Sequence, residues 1–123
     1  MARKKKPESV LSDRVANLLR TKYDVPFRFD IAADIPLPPV HAKRGKELHG
    51  VKWNTGFPDL VIYGKGSPLF LELKATATVP NTAHTRRQAV YHQILRNNGY
   101  EVHFACGFKE AKKIIKEYMK AKV

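Results

Sequence analysis

Two short apolar runs, Leu60-Val61-Ile62-Tyr63 and Leu69-Phe70-Leu71-Glu72-Leu73-Lys74, are separated by Gly64-Lys65-Gly66-Ser67-Pro68. Turn-forming residues between two such runs predict a β-hairpin. Side chains alternate along a strand, so Leu69, Leu71 and Leu73 share one face and Phe70, Glu72 and Lys74 the other. Upstream, Leu11, Val15, Leu18, Leu19 and Lys22 recur at helical spacing, which predicts a helix from Glu8 to Tyr23 with Pro7 at its first turn. The stretch from Phe27 to Asp34 alternates as a strand, with Asp30 and Asp34 on its polar face or at its end. Ile35-Pro36-Leu37-Pro38-Pro39 is an extended connector. A short, irregular helix from Val40 stops at Gly50. Trp53-Asn54-Thr55 is a loop, and Trp53 is better placed in a core than stacked on a base.

Beyond the hairpin, Ala75 to Asn81 is a polar loop. A helix capped near Thr82 or Thr85 follows, with Val90, Tyr91, Ile94 and Leu95 inward and Gly99 just past its end. Gln88 borders its packed face. The chain closes with a strand, Glu101 to Cys106, and a helix burying Phe108, Ala111, Ile114, Ile115 and Tyr118. The opposite side of that helix, Lys109, Lys112, Lys113, Lys116 and Lys120, reads as a solvated basic face. Helix, strand, short helix, hairpin, helix, strand, helix is an α/β order, a mixed sheet flanked by helices.

Composition narrows the class. The 123 residues, 43% of them hydrophobic, suit one domain, 8–123, behind a basic arm at 1–7. No run is long enough to span a membrane, and the charged N-terminus lacks the apolar stretch of a signal peptide. The single cysteine, Cys106, excludes an internal disulfide and a Cys-rich zinc site; a buried small hydrophobe in an intracellular protein is expected. A net charge of +12 favours a polyanionic partner, and the lack of a basic amphipathic helix with aromatic anchors favours nucleic acid over a membrane surface.

Chemistry concentrates at the hairpin. A Glu and a Lys on one side of an apolar strand are costly unless paired or bound to a metal. Asp59 opens the first strand after Pro58, and Gly56 allows a close backbone approach there. The hairpin brings Asp59 and Glu72 together, with Lys74 one pleat on. Two adjacent carboxylates repel, and a hard divalent cation relieves the repulsion. A plain cross-strand ion pair between Glu72 and Lys74, with Asp59 capping a turn, is the competing reading. Glu8 lies on the core-facing side of its helix, either as a first-turn carboxylate at the helix dipole or as a further metal ligand. Lys43, Arg44, Lys46 and Lys52, with Arg86 and Arg87, supply candidate phosphate contacts. The five histidines, His41, His49, His84, His92 and His103, lack metal-site spacing and read as surface or packing residues.

The ordered set Gly50-Val51-Lys52, Gly56-Phe57-Pro58-Asp59-Leu60-Val61, Phe70-Leu71-Glu72-Leu73-Lys74-Ala75, Gln88, Leu95 and Gly99-Tyr100 resembles the virus-type replication-repair nuclease (VRR-NUC) family, of the PD-(D/E)xK, restriction-endonuclease-like superfamily. The resemblance runs from Glu8 to the last helix. It implies a restriction-endonuclease-like core and a Mg²⁺- or Mn²⁺-dependent DNA endonuclease without a small-molecule cofactor. Stand-alone members, often phage-encoded and so acting inside a host cell, resemble dimeric Holliday-junction resolvases. Carried over, Asp59, Glu72 and the Leu73 carbonyl bind metal, Lys74 is the catalytic lysine, Gln88 matches the helical glutamine and Glu8 the acidic residue of the first helix. The segment between Lys74 and Gln88 is longer than usual and lacks the common Gly-rich turn, which leaves Gln93 as a rival to Gln88.

Three functions follow as expectations: a structure-selective endonuclease for branched DNA, working as a two-fold dimer; a sequence-specific restriction or nicking enzyme; and a basic DNA-binding module without catalysis. Phosphate contacts alone position a protein without reading bases, which favours the first.

Overall fold

A computed structural model describes residues 6–30, 38–53, 56–64 and 66–121, of which 51–53 and 121 by backbone alone. The expectations for Ala2 to Lys5, for Asp34, for most of the proline connector, and for the Lys52 and Trp53 side chains fall outside these residues.

The elements are α1 (Pro7–Leu18), β1 (Phe27–Phe29), α2 (Pro39–Trp53), β2 (Leu60–Ile62), β3 (Leu69–Lys74), α3 (Ala83–Asn97), β4 (Glu101–Cys106) and α4 (Phe108–Ala121). The strands form a mixed sheet in the order β1-β2-β3-β4. β1 and β2, and β2 and β3, pair antiparallel, and β3 and β4 pair parallel. A parallel pair needs a crossover, and α3 supplies it. The predicted α/β class and the hairpin are both present.

The alternation of β3 divides the core. Leu69, Leu71 and Leu73 join Leu60, Ile62 and Ala105 on one face, covered by Leu11, Val15 and Leu19 and by Ala111, Ile115 and Tyr118 of α4. Val61, Phe70 and Val102 occupy the other face, under α3 through Leu95. The hairpin loop is tied to α4: the Tyr118 hydroxyl accepts from Gly64 N at 2.9 Å and donates to Ser67 O at 2.8 Å. A Cβ on Gly64 would meet that hydroxyl at 2.7 Å. Gly64→Ala is therefore expected to cost about 1–3 kcal/mol in urea unfolding through local overpacking. Unchanged stability would show that the loop moves aside freely.

Four expectations need correction. The first helix becomes a π-helix over Leu19–Tyr23. Its wider turn leaves Leu19 buried but swings Lys22 out to solvent, where its ammonium lies 5.6 Å from the Tyr23 ring centroid. α2 passes Gly50, whose φ of 77° breaks it, and resumes as far as Trp53. Cys106 ends β4 half-buried rather than in the core. Val90, expected inward, is 61% exposed. The inward face of α3 is instead Thr85, Gln88 and His92, a polar stripe that an apolar-period search passes over. Among the described residues no helix is long and apolar enough to cross a membrane.

Candidate active site

The register of the sheet builds the site. Phe29 faces Leu60, and the Asp30 amide donates to the Asp59 carbonyl at 2.7 Å, extending that ladder by one pair. Leu60 faces Leu71, so the next pair sets Asp59 beside Glu72, and Glu72 in turn faces Phe104 on β4. Laterally paired residues share a face. Asp30, Asp59, Glu72 and Phe104 thus form one row across the sheet on its α3 side, with Lys74 in the next row along β3. Residues 56–59 reach that row by running close against α3. Gly56 takes a φ of 89°, and a Cβ there would lie 3.4 Å from the Arg87 carbonyl. Phe57 meets Phe70 and Tyr91 edge-on, and Pro58 is fully buried beneath.

Asp59 replaces a missing backbone partner. Its Oδ2 accepts from Leu73 N at 2.9 Å, where β2 no longer reaches. The amide and carbonyl of one strand residue point to the same edge, so the Leu73 carbonyl faces the Asp59 side as well. Lys74 Nζ donates to Gln88 Oε1 at 2.7 Å, and Gln88 Nε2 lies 3.2 Å from His84 Nε2. An amide nitrogen only donates, so His84 accepts there and fixes which end of the Gln88 amide faces Lys74. Glu72 is fully buried, with Oε1 3.4 Å from His92 Nε2.

The electrostatics mark a frustrated pair. Burial first, then the adjacent Glu72, push the Asp59 carboxyl up to about 9. Burial also raises Glu72, whose environment includes the charges of Lys74 and Asp30. Two carboxyls that resist ionising side by side are a site lacking positive charge. Glu72 Oε2 has no hydrogen-bond partner among the described residues. An orphaned carboxylate oxygen, a second carboxylate and a backbone carbonyl are the hard oxygen donors that Mg²⁺ or Mn²⁺ takes, with water completing the shell. The residues present fit such an ion.

Of the residues expected from the sequence, the structure brings together Asp59, Glu72, Leu73, Lys74 and Gln88. Glu8 is exposed in the first turn of α1. Among the described residues no group of three or more His, Cys, Asp or Glu is placed to hold a metal ion, so no such cluster includes it. Helical spacing put it on the core side, but the first turn of α1 leaves that position in solvent, where the dipole reading suffices. Gln93, the rival to Gln88, is exposed and hydrogen-bonded to Asn97. Lys43, Arg44, Lys46, Arg86 and Arg87 are exposed. Arg44 pairs with Glu47 and Arg86 with Asn81; no described contact joins the α2 cations to the carboxylates.

Three residues escaped sequence reasoning. Asp30 joins the row only through strand register. His84 and His92 read as surface or packing residues, yet one orients Gln88 and the other lies against Glu72. Their spacing from Gln88, one turn before and one turn after, was the available signal. Replacing Gln88 with Leu should slow any Lys74-dependent reaction about tenfold to a hundredfold while leaving the fold intact. A rate equal to the parent's would remove Gln88 from the site.

No family profile matches the chain, and no curated protein matches it. A solved structure described as a VRR_NUC domain protein superposes with a TM-score of 0.66 at 24% identity, over 96% of this chain and 92% of that one. The chain carries the fold of a VRR_NUC domain, an α/β architecture of the restriction-endonuclease-like type.

Proposed function

We propose that this protein is a Mg²⁺- or Mn²⁺-dependent, structure-selective DNA endonuclease that hydrolyses phosphodiester bonds in branched DNA such as four-way junctions, acting as a homodimer. The observation that carries the reading is the placement of Asp59, Glu72 and Lys74 at one end and on one face of the sheet, with Gln88 holding the lysine. The fold likeness supports a nuclease, and the net charge of +12 supports a nucleic-acid substrate.

Asp59, Glu72 and the Leu73 carbonyl would hold the ion. When bound, it supplies positive charge to the scissile phosphate and acidifies water. Lys74, a compact cation held by Gln88 and in no ion pair among the described residues, orients the attacking water or stabilises charge growing on the phosphate oxygens. The exposed Lys43, Lys46, Arg86 and Arg87 would contact phosphates, which sets position without reading bases. Shape then selects the substrate. A chain of this size with one site needs a two-fold partner to cut both strands of a junction symmetrically.

The test is incubation with four-way junction, flap, splayed-arm and linear duplex DNA in Mg²⁺, in Mn²⁺ and in EDTA. Cutting of branched DNA, abolished by EDTA, is expected. Sequence-specific cutting of linear duplex would favour a restriction-type enzyme instead. Binding that weakens steeply with salt but never leads to cleavage would leave a DNA-binding module.

A further inference from the structure

His92 lies at the centre of α3, and its side chain is fully buried against Glu72. Its ring packs against Phe104 at a tilt of 46°, with centroids 4.5 Å apart, which restricts the ring's plane. Nε2 is 3.4 Å from Glu72 Oε1. Among the described residues Nδ1 has no hydrogen-bond partner, and neither has Glu72 Oε2. Each is the second polar atom of a group whose first makes the Nε2–Oε1 contact.

Nε2 is the ring nitrogen aimed at a carboxylate oxygen of Glu72. A neutral imidazole carries one N–H. Placed on Nε2, that hydrogen meets Glu72 Oε1 and leaves Nδ1 a bare lone pair. Placed on Nδ1, it would strand a buried donor and, against the ionised Glu72 that a cation requires, set two acceptors, Nε2 and Oε1, face to face. The first tautomer is strongly preferred. It engages one oxygen of Glu72 and leaves Oε2 as the oxygen available to a cation.

We infer that His92 is a positioning residue for the metal centre: its Nε2–H holds Glu72 by Oε1 and so presents Oε2 to the ion. This rests on the reading of Asp59 and Glu72 as metal ligands. Partners that orient a ligand commonly govern affinity about tenfold to a hundredfold.

The test is Mn²⁺ affinity of the whole chain, measured by EPR titration without DNA, with thermal melts of the metal-free proteins beside it. His92→Phe keeps the packing against Phe104 and removes the donor; it is expected to bind Mn²⁺ about tenfold to a hundredfold more weakly. His92→Gln, whose amide nitrogen reaches about where Nε2 stands, should restore affinity to within about threefold, whereas the shorter His92→Asn should not. Long-range ¹H–¹⁵N spectra of the parent should show the Nε2–H tautomer. A folded His92→Phe that binds Mn²⁺ like the parent overturns the inference. Should that variant not fold, equal affinities for the Gln and Asn variants overturn it instead. Asp59→Ala and Glu72→Gln distinguish the two levels. If they abolish Mn²⁺ binding while His92 variants leave it unchanged, only the role of His92 fails. If they too bind like the parent, the metal-centre reading fails with it.

Discussion

Lys74→Ala is expected to bind four-way junctions with near-parental affinity and to cut them roughly a hundred- to thousandfold more slowly. The asymmetry follows from geometry. Lys74 is one charge among 23 lysines and arginines, so losing it hardly changes the long-range attraction of DNA. It is, however, the cation that the structure places one pleat from Glu72 on the same face, anchored at 2.7 Å by Gln88. A preorganised cation does most where charge develops during reaction and little in the ground state. Single-turnover cleavage at saturating protein, set against a gel-shift titration at several salt concentrations, separates the two effects. Full cleavage by the variant would refute the assignment of the site. Asp59→Ala should likewise bind and fail to cut, since it removes a ligand of the ion.

The second large effect concerns stability and runs against activity. Between its ordinary value of 3.8 and the folded value of about 9, Asp59 holds a proton in the native state that the unfolded chain has released. Folding then binds protons, so stability in the absence of metal falls as pH rises through that window. Below pH 4 this contribution is fully present, and by pH 9 it has gone. Asp59→Asn keeps the shape, and its amide can accept from Leu73 N while donating to Glu72. The metal-free variant at pH 8 should therefore be about 1–3 kcal/mol more stable than the parent, a rise in Tm of roughly 5–10 °C, with the gap closing towards pH 4. It should also lose cleavage. A native site that must take up a proton on folding, kept for the sake of function, is a familiar source of such a trade-off. A gap independent of pH would show that Asp59 does not carry the penalty. Mg²⁺ should stabilise the parent more at pH 8 than at pH 6, and the variant hardly at all.

How far the site could be foreseen depended on how local each piece of information was. Asp59, Glu72 and Lys74 lie in or beside two apolar runs that only five residues, 64–68, separate in the sequence, and period-2 alternation alone puts Glu72 and Lys74 on one face. Helical spacing set Gln88 only at the border of the packed face, and its part in the site came from the family resemblance; α3 buries a stripe unlike the expected one. Val90 looked like an inward residue because it is apolar, whereas Gln88 and His92 are buried where they meet Lys74 and Glu72. Hydrophobic periodicity finds faces that pack on apolar cores and misses faces that pack on functional groups. Glu8 shows the reverse error: correct spacing on a helix end that the core does not reach.

From the chain alone come the α/β class, the hairpin, the pairing of Asp59 with Glu72, and the surplus of positive charge, because turns, alternation and composition are properties of neighbouring residues. Only tertiary structure could set Asp30 in the same row, turn Lys22 outward at the π-helix, aim Gln88 at Lys74 and press His92 against Glu72. Apart from the turn at Lys22, each of those depends on register between strands distant in sequence, or on the angle at which α3 crosses the sheet. Both are decided by packing of the whole core and by no local pattern.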